Sequence, residues 1–156
     1  MPKLSREYIA GILDGEGCIS IYHQKVQKGK VYLSYNVRVI VGMTDPLVVH
    51  LLRDQYGGSV WLRKRPAPWK ASYTWCLTGK IVEKFLNDIL PFLMIKKGQA
   101  MLALELRKHI NGRKFARAGH KGLLKLVPGE LMYRQSLKDK MHRLNQKGTI
   151  PYAPAT

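Results

Sequence analysis

Two acids, Asp14 and Glu16, stand in the stretch YIAGILDGEGCISIY (residues 8–22), set among glycines 11, 15 and 17. Ile9, Ile12 and Leu13 precede them at helical spacing, so both carboxylates fall at the C-terminal end of a helix. There they face the negative pole of the helix macrodipole, a placement that costs up to about 1 kcal/mol unless something offsets it. A bound cation would offset it, and so would hydrogen bonds from a neighbouring element.

The rest of the chain is strongly basic. Its 156 residues hold 27 Lys+Arg against 10 Asp+Glu, a formal net charge of +17. Such a surplus repels itself unless an anionic partner neutralises it, and nucleic acid is the usual partner. A ribosomal-type RNA binder would meet the same description. Hydrophobic content of 46%, with three Trp and eight Tyr, fits a packed protein and excludes disorder; residues 1–156 are expected to form one domain. Cys18 and Cys76 are too few for a structural zinc site and are expected to be small buried hydrophobes. No signal-peptide pattern or long apolar run is present, which predicts a soluble intracellular protein without a membrane partner.

The elements that must position the acids follow from patterning. Ser5 is a good N-cap for a helix from Arg6, with Glu7 in its first turn and Gly17 closing it. A strand is predicted from Cys18 to about His23, then a polar, basic hairpin loop over 24–30. VYLSYNVRVIV (31–41) alternates as a long strand: Val31, Leu33, Tyr35, Val37, Val39 and Val41 share one face, and Tyr32, Ser34, Asn36 and Arg38 the other. TDPLVVHLLRDQYGG (44–58) reads as a helix capped by Asp45 or Thr44, with Pro46 at its first position and Gly57 as its stop. Strands near 59–65 and 71–77 flank the turn KRPAPWK, and amphipathic helices over 79–90 and 97–110 are separated by PFLMIKKG. A basic loop follows Asn111-Gly112, then a helix from about Glu130 to Asn145.

The order is therefore αββαββα with extra C-terminal helices, an α+β class in which two αββ halves recur as architecture. A four-stranded antiparallel sheet can leave one face open to a partner. That face would carry Ser20, Tyr22, Gln24, Tyr32, Ser34 and Arg38 from the first hairpin, and Arg63, Arg65, Lys70, Ser72 and Thr74 from the second. No strand holds an acid after Glu16. The set suits phosphates and base edges, and double-stranded DNA is the expected partner.

IAGILDGEG (9–17) resembles the LAGLIDADG motif of homing endonucleases position for position: aliphatic, Ala, Gly, two aliphatics, acid, Gly, acid, Gly. The αββαββα order, YGGSV (56–60) and LPFLMIKKGQA (90–100) extend the resemblance over about the first 110 residues. The core would then span about 5–110, with 111–156 as a helical extension. One copy of the motif is present, as in the single-motif members, which act as homodimers. The resemblance implies a site-specific endonuclease that hydrolyses both strands of a long, roughly palindromic target. An intron maturase or a non-cleaving DNA-binding protein on the same fold is the alternative.

The same resemblance implies roles. Ala10, Gly11, Asp14 and Gly15 would line the dimer interface, where small residues let helix backbones approach. A two-fold dimer brings both copies of residue 16 together on the axis, where two carboxylates need a cation to stay ionised. Glu16 would bind metal and act in catalysis, with the Gly15 carbonyl as a further ligand. Oxygen donors suit Mg²⁺, with Mn²⁺ as an alternative; Ca²⁺ is expected to support binding without cleavage. Asp14 would brace the packed helices. Lys96 matches a basic residue near the scissile phosphate, where it could stabilise developing charge; Lys97 beside it is the alternative. Several single-motif relatives carry Gln, often with Arg, after the long second strand. The stretch here, VIVGMTDP (39–46), has neither.

Other nuclease patterns do not fit. His23, His50, His109, His120 and His142 are scattered, and no acid stands two residues before a Lys.

Charge alone makes one measurable demand. A pair of chains, each carrying +17, that neutralises about 8–10 phosphates should bind DNA with a log–log salt slope near −7 to −9. A slope shallower than about −3 in a KCl titration would contradict it.

Overall fold

The amide of Tyr8 donates to the Ser5 hydroxyl at 3.2 Å, and α1 (Arg6–Glu16) begins on that cap. In the computed structural model, which describes residues 2–27, 31–112, 115–118, 123–126 and 128–146, α1 passes directly into β1 (Gly17–Gln27). Then come β2 (Val31–Met43), α2 (Pro46–Tyr56), β3 (Ser59–Arg63), β4 (Ser72–Thr78), α3 (Ile81–Ile89), α4 (Lys97–Asn111), β5 (Phe115–Ala118), β6 (Leu123–Leu126) and α5 (Pro128–Asn145). The expected αββαββα order and the antiparallel sheet are both present, with strand order β1-β2-β4-β3.

Several boundaries differ from the patterning. β1 runs to Gln27 rather than His23, because Gln24 and its neighbours pair with β2 (Gln24 opposite Ser34) despite their polarity. β3 ends at Arg63, leaving Arg65 in the turn, and β4 is shifted by one residue to 72–78. Where a basic loop was expected after Asn111, β5 and β6 form a two-stranded antiparallel sheet. Short basic segments carry little periodic signal, so pairing of this kind is set by the backbone partner.

Alternation puts Ile19, Ile21, Tyr35, Val37, Val39, Val41, Trp75 and Leu77 on one side of the four-stranded sheet, and all are buried. The helices cover that side. Ile9, Ala10 and Leu13 come from α1; Val48, Val49, Leu52 and Tyr56 from α2; Val82, Phe85, Leu86 and Ile89 from α3. Trp75 anchors the second half: its indole donates to the Gly57 carbonyl at 2.8 Å, and its ring meets Phe85 edge-on at 5.3 Å. Gly58 there has φ +87, and an added Cβ would lie 2.4 Å from the Cys76 carbonyl. Only glycine fits. Asp45 caps α2 through the Leu47 amide at 2.8 Å.

Leu137 and Met141 bring α5 into the same core. Polar contacts pin the helix. The Asn145 side chain donates to the Ile19 carbonyl at 2.9 Å, and the Tyr35 hydroxyl donates to Gln135. Buried Glu130 accepts from Arg134 Nε at 3.0 Å and from His109 Nδ1 at 3.0 Å, and Arg134 Nη2 reaches the His109 carbonyl at 3.2 Å. Burial alone would raise the Glu130 carboxyl. Its hydrogen bonds to Arg134 and the nearby His109 outweigh that, holding it below the ordinary value of 4.5.

A carboxylate depressed on folding stabilises the fold above its unfolded pKa, and that contribution fades as pH falls through the folded value. Glu130→Gln should therefore lower stability by about 3 kcal/mol at pH 7, since it leaves the buried Arg134 charge poorly compensated. In urea unfolding, the gap between wild type and variant should close progressively below pH 4.5. A gap that stays constant down to pH 3 would contradict the account.

Candidate active site and nucleic-acid interface

The two acids that open the sequence have different surroundings. Asp14 is half-buried, and its carboxylate accepts the Met94 amide at 2.8 Å and the Lys96 amide at 2.9 Å. The Lys96 ammonium in turn donates to the Asp14 backbone carbonyl. Asp14 thus ties the end of α1 to the turn that starts α4, and a lysine cation sits at the negative pole of α1. Both of its carboxylate oxygens thus accept hydrogen bonds from within the chain.

Glu16, two residues on, is exposed. Among the described residues no hydrogen-bond or ion-pair partner offsets its position at the helix end. Gly17 explains the sharp exit from helix to strand. A Cβ there would come within 2.8 Å of the Leu13 carbonyl and 2.9 Å of the Leu13 Cα, so the chain can turn at this point only with glycine.

Glu16 stands at the mouth of a groove of about 790 Å³ on the open face of the sheet. Arg63, Arg65, Lys70, Ser72, Thr74 and Trp61 line it together with Ile40, Gly42, Met43 and Thr44. Of the expected face residues, Arg63, Arg65, Lys70, Ser72 and Thr74 therefore converge beside Glu16; Arg65 does so from the turn rather than from β3. Ser20, Tyr22, Gln24, Ser34 and Arg38 lie further along the same face. Ser20 is directly opposite Arg38, whose guanidinium stacks over the Tyr22 ring at 5.3 Å. Among the described residues Ser20 Oγ and Arg38 Nε are buried without a hydrogen-bond partner, so the face holds unmet polar capacity. The side chain of Tyr32 lies outside the described residues.

Ala10, expected on the outer face of α1, points inward. It is 0% exposed, packed with Ile9 and Leu13 against the chain's own core. Helical geometry gives the reason: Ile9, Ala10 and Leu13 share the inward stripe, while Gly11 and Gly15, four apart, face outward. Both glycines are exposed, and a Cβ added to either would meet nothing within 4 Å. Beside them Met94 and Ile95 are 89% and 73% exposed. The cysteine expectation is also corrected. Cys18 is exposed and Cys76 only half-buried, because both alternate with core residues and so face the open side.

The patterning did not single out Trp61's neighbours Thr44 and Met43, nor Ile40, as groove residues. Ile40 was detectable, since it shares the parity of Asn36 and Arg38 in β2.

The donors at the end of α1 are hard oxygens, a carboxylate and helix-end carbonyls, at the negative pole of a dipole; they suit a small divalent cation. Among the described residues no group of three or more His, Cys, Asp and Glu side chains could hold a metal ion. Among the described residues lining the groove, Glu16 is the one acid. Among the described residues no helix is long and apolar enough to cross a membrane.

No family model matches the chain. It is 28% identical over 116 residues to the DNA endonuclease I-CvuI of Chlorella vulgaris, a match covering 72% of this chain and 69% of that protein. Its fold superimposes on the homing endonuclease I-CvuI in complex with the I-CreI target, in the presence of 2 mM Mg, with TM-score 0.70 and 23% identity over 94% of this chain and 85% of that one. It also superimposes on the archaeal intron-encoded homing endonuclease I-Vdi141I complexed with DNA, with TM-score 0.69 and 18% identity over 95% and 88% of the two chains.

The tether from Asp14 is open to a direct check. Asp14→Ala should lower stability by about 1–2 kcal/mol in urea unfolding, because the Met94 and Lys96 amides lose their acceptor and water replaces it only in part. Asp14→Asn keeps one acceptor oxygen and should lose less. Equal losses for the two variants would show that charge, not hydrogen bonding, holds the turn.

Proposed function

We propose that this chain is a LAGLIDADG homing endonuclease, as its likeness to I-CvuI and its fold support, and that it is a site-specific, divalent-metal-dependent endonuclease cutting both strands of a long, roughly palindromic DNA target as a homodimer. The observation that carries the reading is Glu16: an exposed carboxylate without a partner among the described residues, at the mouth of a groove whose other charged lining residues are Arg63, Arg65 and Lys70. An acid so placed repels DNA phosphates and adds nothing to binding. It is useful for holding a cation against them.

Two chains would pack through the outward stripe of α1. Gly11 and Gly15 leave room for a second helix backbone, and the exposed Met94 and Ile95 supply apolar surface at its edge. A C2 arrangement repeats each contact, so both copies of Glu16 meet near the axis. The basic sheet of each copy would follow one half of the target along the major groove. That symmetry is the reason the target should be roughly palindromic.

Glu16 and the Gly15 carbonyl would hold Mg²⁺, which when bound supplies charge neutralisation at the phosphate and acidifies water. The I-CvuI complex named above was obtained in the presence of 2 mM Mg with its DNA not cleaved, so it supports DNA binding alongside Mg²⁺ rather than turnover. Arg63, Arg65 and Lys70 would fix the backbone so that a phosphodiester lies across the end of α1. Lys96 is held two residues from Glu16 by the Asp14 carbonyl, close enough to bear on charge that develops at the phosphate. Its hydrogen bond at the helix end makes positioning of α1 the first part of its role.

The test separates binding from cleavage. Glu16→Gln is nearly isosteric and should leave folding intact. With Mg²⁺ it should cut at least ~10³ more slowly. Its target affinity, measured by gel shift in Ca²⁺, should be unchanged or tighter, since a repulsive charge is gone. Cutting at near wild-type rate would refute the role of Glu16. A wild-type chain that binds its selected target but never nicks it with Mg²⁺ or Mn²⁺ would mark a non-cleaving binder instead.

A further inference from the structure

The open face of the sheet is not uniformly polar. Cys18 on β1 lies opposite Ile40 on β2, and Ile40 lies opposite Cys76 on β4. Three soft, apolar side chains thus form one row across three strands, with neighbours about 5 Å apart. Their orientation is set by the residues beside them: Ile19, Val39, Val41, Trp75 and Leu77 are all buried in the core, so the three must point the other way. Cys18 is exposed, and Ile40 and Cys76 are half-buried.

The rows on either side differ. Ser20, Arg38 and Thr78 form one, and Gly42, Thr74 and Trp61 form the other. The apolar row therefore lies between a hydrogen-bonding row and the groove that Glu16 shares with Ile40. Cys18 is only two residues beyond Glu16. The Cys76 thiol stays neutral, because burial pushes its pKa up from 9.0 and the nearby Arg38 pulls it back by less. The row continues on β3 to the exposed Ser59, opposite Cys76, but its Cys18, Ile40 and Cys76 side chains offer neither charge nor a strong donor or acceptor.

The major-groove edges of guanine, adenine and cytosine present N7, O6 and amino groups, which such a row cannot satisfy. The 5-methyl group of thymine is the one apolar feature among the four bases. We propose that Cys18, Ile40 and Cys76 form a methyl-reading row that selects a 5-methylpyrimidine next to the scissile phosphate. The proposal rests on the reading of this sheet as the DNA-binding face. It adds a contact that rejects other bases by leaving their polar edges unmet, and it gains from the burial of one methyl group.

The test uses the full-length wild-type chain and a target selected from a randomised duplex library. Each thymine near the cut is replaced in turn by deoxyuridine, which removes only the methyl group, and affinity is measured by gel shift in Ca²⁺. One symmetry-related pair of positions should weaken by about fourfold per half-site. Replacing that thymine by 5-methylcytosine should lose less than replacing it by cytosine. Ile40→Ala should erase the preference for thymine over uracil, and Ile40→Val should keep most of it. Cys18→Ser, at an exposed position that does not bear on folding, should reduce it. Equal affinity for thymine and uracil at every position, or a preference that survives Ile40→Ala and Cys18→Ser unchanged, would overturn the methyl-reading row while leaving DNA binding intact. Failure to recover any preferred sequence would overturn the underlying reading, and the row with it.

Discussion

Asp14 holds the amides of Met94 and Lys96 with its two oxygens, and most of what this protein offers a partner depends on that contact. It joins the end of α1 to the start of α4 across 80 residues of sequence. Lys96 answers by donating to the Asp14 carbonyl, so the negative end of the helix is met by a cation from the same turn. With that end held, Gly17 can send the chain straight into β1, and Glu16 is left at the junction facing the groove. The tether also presents Met94 and Ile95 beside the glycine stripe of α1. One hydrogen-bonded turn thus sets both the position of the acid and the shape of the surface around it.

The electrostatics of the open face have a simple logic. A net charge of +17 is tolerable in a folded chain when it is spread over a surface that a polyanion will cover. The strands keep acids off that surface, and among the described residues Arg38 Nε on β2 and Ser20 Oγ on β1 have no internal partner. Such groups are costly to bury unmet, and phosphates or base edges would satisfy them. Glu16 is the one acid among the described residues lining the groove, and in the proposed function a cation accompanies it.

Rigidity comes from the opposite side. All five helices lie against the sheet or against one another, and α5 is fastened by the buried Glu130–Arg134 pair, by His109 and by Asn145 on β1. Packing the described helices on one face leaves the other face uncovered by any of them. A sheet backed in this way can hold side chains at fixed spacing, which base readout requires.

Composition and local pattern were enough to determine the α+β order, the caps at Ser5 and Asp45, the alternation of β2 and the basic character of the sheet. Each of these is a property of a residue and its near neighbours along the chain. They gave no warning that Ala10 turns inward while Gly11 and Gly15 turn outward, because a small residue satisfies either environment. They misjudged Cys18 and Cys76, whose apolar surroundings in sequence became, in the sheet, alternate neighbours on the opposite face. Polar Gln24 was assigned to a loop until pairing with Ser34 supplied its backbone partners. Different roles for Asp14 and Glu16 followed from the family resemblance, but the difference in their surroundings appeared only in the tertiary structure, since the amides that Asp14 accepts come from residues 94 and 96. Two like charges at one helix end are equivalent to the helix, and only a distant turn of the chain distinguishes them.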